Sequence, residues 1–141
     1  MVKFKFFVVI LLLFSFNLSF AEDKDPIDLW LEKCLEKNLT TMGMLECTGK
    51  AYVMWDKRLN QVYRKLMSKL SPKQRKLLRE SQRKWLQYRD KEFKFIENFY
   101  TGSGSMARIL IAFDKLEFLK NRVKELEQYL SIVEKSLNRY D

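Results

Sequence analysis

The stretch SMARILIAFDKLEFLKNRVKELEQYLSIVEKSLN, residues 105–138, decides the fold class. Ile109, Leu116, Val123, Leu130 and Leu137 recur every seven residues, and Ala112, Leu119, Leu126, Val133 and Tyr140 each follow three residues later. An apolar pair repeated every seven residues lays one continuous stripe along a helix, the pattern of a coiled-coil seam. The stripe is read as packing along the two preceding helices of an antiparallel bundle. The alternative is that the last turns overhang the bundle and join two copies as a homodimer.

Working outward, the same helical spacing governs the upstream chain. Ala51, Trp55, Leu59, Val62, Leu66 and Leu70 are three or four residues apart and mark a helix from about Met44 to Leu70. Ser71-Pro72 ends it and opens a third helix running to about Phe99, with Ser71 as cap. The expected inward stripe there is Leu78, Ser81, Trp85, Tyr88, Glu92, Phe95 and Phe99, flanked by Phe93 and Ile96. A short first helix starts at Pro26 behind Asp25 and runs to about Lys37, with Asn38–Gly43 as a turn. No strand-like alternation of useful length competes. The expected fold is all-α: an antiparallel bundle of one short and three long helices, the last heptad-patterned.

The first twenty-one residues read as an export signal. Lys3 and Lys5 precede an apolar run from Phe6 to Phe20, and Ser19 and Ala21 are the small residues of a cleavage site. The run is shorter than the roughly twenty residues that span a bilayer, although an uncleaved anchor is the alternative. The expected mature chain is a single domain, residues 22–141, periplasmic or secreted, with no transmembrane segment after cleavage. In such a compartment two cysteines, Cys34 and Cys47, read as one disulfide; a reactive thiol pair is the alternative.

Charge is unevenly placed. Loss of Lys3 and Lys5 with the leader takes the net charge from +9 to +7. Residues 57–84 carry eleven basic side chains and one acid, Glu80. Folded as a hairpin about Ser71-Pro72, that segment concentrates a positive field able to attract anions. Lys73, Arg75, Lys76, Arg79 and Arg83 are the candidate binding residues for a polyanion of the cell envelope; a merely solvated face is the alternative. Nucleic acid is not expected, since no reading motif is present.

Catalysis finds little support. The chain has no histidine, the commonest general base and metal ligand. Ser103 and Ser105 have no base partner in sequence, and the carboxylates lie among Lys and Arg at helical spacing. Glu92, on the third helix's stripe, is the exception, read as ion-paired with an Arg. The Gly102–Ser105 loop reads as a simple turn, with anion binding at the next helix's N-terminus as the alternative. No catalytic site, metal or cofactor is expected.

Cys34 and Cys47, Leu59-Asn60 with Tyr63, Gln82-Arg83 with Trp85 and Arg89-Asp90, Gly104-Ser105-Met106 and Arg122 together resemble the LprI-like lysozyme inhibitor family over roughly Cys34 to Arg122. The resemblance implies an exported, non-enzymatic helical module that binds a partner in the envelope, a lysozyme-type wall hydrolase being the named possibility. Trp85, Arg89, Asp90, Gly104, Ser105, Met106 and Arg122 are then fold-holding residues: Trp85 anchors the core, Arg89 lies on the indole and neutralises Glu92, and Asp90 ties its helix to a neighbour. Many relatives carry a second cysteine pair where this chain has Phe93 and Asp114, so Phe93 is expected to replace the staple by apolar packing. Familiar lysozymes are cationic, so an inhibitor should present acid. Here the concentrated acidic segment is Glu22–Glu36.

Overall fold

The computed structural model describes residues 24–139, so the expected leader (1–21) and Tyr140 lie outside the described residues. Within that range the chain forms α1 (Pro26–Lys37), α2 (Thr41–Lys69), α3 (Pro72–Phe99) and α4 (Gly104–Leu137), and no described residue is in a strand. This is the all-α bundle of one short and three long helices expected from the periodicity.

Local chemistry sets the helix ends. Asp25 caps α1, its Oδ1 accepting the Ile27 N–H at 2.9 Å. Ser71 and Gln74 form a reciprocal capping box at the start of α3, with Pro72 in the first turn. α2 begins earlier than its apolar spacing suggests, because Thr40 caps it by accepting the Gly43 N–H at 3.0 Å. Residues expected to form a turn, Thr41–Gly43, are therefore helical. Gly43 is needed there: a Cβ would sit 2.7 Å from the Asn38 Cβ.

The core lies between α2 and α4. Ala51, Trp55, Leu59 and Leu66 face Leu116, Leu119, Val123 and Leu126, all buried. The heptad stripe is thus consumed inside the molecule over its middle three repeats, whereas Leu137 is half-exposed. Its partner is chiefly α2 rather than both preceding helices. α1 closes over the core with Leu31 and is joined to α2 by the Cys34–Cys47 disulfide, with Cα atoms 5.8 Å apart. Two polar clamps add to it. Arg58 bonds both the capping carboxylate of Asp25 and Glu127 of α4, and Lys120 of α4 pairs with Asp28 at 2.6 Å.

α3 departs from its expected stripe. Only Ile96 is fully buried, and Tyr88, Phe95 and Phe99 are more than half exposed. The inward row is instead Leu78, Gln82, Trp85, Arg89, Phe93, Ile96 and Tyr100. The reason is phase. A helix of 3.6 residues per turn drifts about 20° per heptad from a strict seven-residue repeat. Over the three heptads from Leu78 to Phe99 the row slips by about 60°, enough to turn Phe99 out and Tyr100 in.

Candidate functional site

α3 is held chiefly by aromatic rings and one guanidinium, beside the aliphatic Leu78 and Ile96. Trp85 stacks on Phe118 of α4 with centroids 5.6 Å apart, and Phe93 meets Phe118 edge-on at 5.7 Å and Tyr52 of α2 at 6.4 Å. Phe93 therefore does pack between helices. Asp114 accepts the Tyr100 hydroxyl at 2.7 Å. Arg122, 6% exposed, donates to Gln82 Oε1 at 3.0 Å, Ser81 Oγ at 3.4 Å and Glu125 at 2.6 Å, and lies over Trp85 at 5.9 Å. Arg122→Ala should leave these acceptors unpaired and cost about 2–3 kcal/mol, the lower range for a broken charged network because Glu125 is half-exposed. Urea unfolding checks this; Arg122→Lys should restore only part, since an ammonium lacks the planar fork.

The rest of the Gln82–Asp90 motif behaves differently from expectation. Arg89 does lie over the Trp85 ring, at 5.9 Å, but its carboxylate partner is the adjacent Asp90 at 2.7 Å, not Glu92. Asp90 is occupied within its own helix and bridges to no other among the described residues. Glu92 has no ion pair among the described residues. Gly104, Ser105 and Met106 form the exposed first turn of α4, and Gly102 and Gly104 take φ of +94° and +63°, values that favour glycine. Ser103 makes no side-chain cap there.

Folding sorts the basic segment into two classes. Arg58, Lys65 and Lys69 are neutralised across the bundle, the last two by Glu134 at 2.9 and 3.7 Å. Lys73, Arg75, Lys76, Arg79 and Arg83 have no carboxylate partner among the described residues. Of these five only Arg79 and Arg83 line a groove of about 410 Å³ between α2 and α3, and Arg89 joins them there. The opposite wall carries Asp56, Asn60 and Tyr63 of α2. Arg89 was expected to serve only the fold. Its helical spacing from Arg79, Gln82 and Leu86 is the signal that aligns it with the groove.

The acids are redistributed as well. Of the expected acidic segment, Asp25, Asp28 and Glu32 are engaged by Arg58, Lys120 and Lys24, Glu36 has no ion pair among the described residues, and Glu22 and Asp23 lie outside the described residues. A different acidic surface forms between α3 and α4. Glu92, Asp114 and Glu117 line a groove of about 340 Å³ together with Phe95 and Phe99, whose rings meet at a tilt with centroids 5.7 Å apart while 58% and 67% exposed. Acids separated by up to 25 positions are brought together there by the helix hairpin.

The family model described as "Lysozyme inhibitor LprI" matches residues 34–126, two thirds of the chain. The chain belongs to the LprI lysozyme inhibitor family. Its fold is also similar to the crystal structure of an uncharacterized protein from Burkholderia thailandensis, with a TM-score of 0.72 and 26% identity over 78% of this chain. The chain spans 55% of that protein's length. No curated protein matches it.

For this LprI-family chain the described residues include no helix long and apolar enough to cross a membrane and no cluster of three or more potential metal ligands. Surface ion pairs hold Glu46, Glu97 and Glu134 below the usual carboxylate range through hydrogen bonds from Lys50, Lys115 and Lys65. Burial works to depress the Lys120 ammonium, but its bond to Asp28 and the charge of Glu117 outweigh burial and raise it. Depressed carboxylates stabilise above their unfolded value of about 4.3 and lose that contribution as pH falls through the folded values. A raised ammonium stabilises below about 10.4 and loses its contribution as pH rises through the folded value. The melting temperature should therefore fall on both sides, and the acid limb should flatten in high salt because those pairs are exposed. Calorimetry at low and high ionic strength checks this.

Proposed function

We propose that the protein is an exported, non-catalytic helical module of the cell envelope, with residues 1–21 as its leader, that binds a lysozyme-type wall hydrolase and blocks it. Membership of the LprI family carries this reading. The groove between α3 and α4 supports it by its chemistry. A net basic protein needs a local acidic surface to dock a cationic enzyme, because like charges brought together cost several kcal/mol. Glu92, Asp114 and Glu117 supply that acid, and Phe95 and Phe99 supply exposed aromatic anchors of the kind that dominate interfaces.

The test is a turbidity assay with the mature chain, residues 22–141, and a cationic muramidase acting on bacterial cells. Excess protein should slow lysis. The Glu92→Lys variant should restore it while melting at the same temperature within a few degrees, since Glu92 lines the groove without an ion pair among the described residues. Unimpeded lysis at excess wild-type protein would reject the hydrolase reading.

A further inference from the structure

The groove between α2 and α3 is chemically distinct from the surface just described. Arg79 and Arg83 stand one helical turn apart on α3, and neither has a carboxylate partner among the described residues. Arg89 lies further along the same wall, its guanidinium already bonded to Asp90 at 2.7 Å. Guanidinium forks recognise the paired oxygens of carboxylate and phosphate groups through short charge-assisted bonds. Asp56 is the one carboxylate in the lining, so the groove keeps a net positive charge.

The remaining lining narrows the ligand further. Asp56, Asn60 and Tyr63 offer acceptors and donors suited to hydroxyl and amide groups. Gln82 gives its Oε1 to Arg122, which leaves its amide N–H₂ to donate. Leu59 and Leu86 add apolar surface. A bare inorganic anion would use only the arginines. A neutral sugar would leave them unpaired. At about 410 Å³ the groove is within the roughly 300–1,000 Å³ usual for ligand clefts.

We propose that this groove binds an oxyanion-bearing saccharide, its carboxylate or phosphate held by Arg79 and Arg83 and its hydroxyl or amide groups by the α2 wall. The proposal does not depend on the hydrolase reading, because the two surfaces use different residues. It also separates two kinds of basic residue: Lys73, Arg75 and Lys76 lie on the same helix outside the groove and contribute only to the general field.

Amide chemical-shift titration of the mature protein tests it with three probes: tetragalacturonate for a carboxylate source, glucose 1-phosphate for a phosphate source, and chitotetraose as a neutral saccharide. Shifts should cluster at the groove for at least one acidic probe and be absent for chitotetraose. Arg79→Gln/Arg83→Gln should weaken that binding by at least about tenfold, the scale of losing charge-assisted contacts. Lys73→Gln/Lys76→Gln, with the same change in net charge, should leave it within about twofold. Response to tetragalacturonate alone assigns a carboxylated glycan, to glucose 1-phosphate alone a phosphorylated one, and to both a shared oxyanion site. No groove shifts with either acidic probe, equal binding of chitotetraose, or equal weakening by the two double variants would overturn the proposal.

Discussion

Trp55→Ala should lower the unfolding free energy by about 3–5 kcal/mol, the range for removing a fully buried large aromatic. Trp55 is entirely buried at the centre of the α2–α4 seam. Its ring also lies beneath Arg58 at 5.1 Å and Lys120 at 5.7 Å, the two cations that clamp α1 and α4. Removing the ring therefore opens a cavity and takes away the surface on which both clamps rest. Trp55→Phe should cost far less, because it keeps most of the ring contacts and eliminates an indole N–H that has no acceptor among the described residues. Denaturant unfolding followed by far-ultraviolet circular dichroism gives both numbers. A loss below about 1 kcal/mol for Trp55→Ala would mean that the seam closes around the cavity.

Cys34→Ser/Cys47→Ser should cost about 3 kcal/mol, the chain-entropy value for a loop of this length. The bond ties α1 to α2 across thirteen residues. Without it α1 is held by Leu31, the partly buried Ile27 and Leu35, and the pairs Asp25–Arg58 and Asp28–Lys120. The loss should thus be local as well as global. Hydrogen exchange at α1 amides should accelerate more than at the α2–α4 seam, where Leu119, Val123 and Leu126 are wholly buried. Uniform acceleration along the chain would contradict this picture of α1 as a stapled cover.

Much of the helical framework is legible in the chain because its causes are local. Asp25 and Ser71 cap through their own backbone neighbours, and the central heptads of α4 bury the residues that the spacing names. Legibility fails where errors accumulate or partners are distant. A stripe set on a seven-residue repeat drifts off the buried face of α3, so that Tyr88, Phe95 and Phe99 point outward. The pairing of Asp25 and Asp28 is not legible in the chain because their partners, Arg58 and Lys120, are 33 and 92 positions away. Arg89 looked committed to Trp85, and only the approach of α2 places it in a groove with Arg79 and Arg83.

By itself the sequence determined the four helices, the caps at Asp25 and Ser71, the single disulfide and the family, since each rests on neighbours or near-neighbours along the chain. Tertiary structure decided which charges are neutralised and which are left to act. That depends on side chains from separate helices meeting within a few ångströms, where a Coulomb interaction is strong enough to matter. The same meeting of helices made two unlike grooves, one acidic and aromatic beside Phe95 and Phe99, the other lined by Arg79, Arg83 and Arg89.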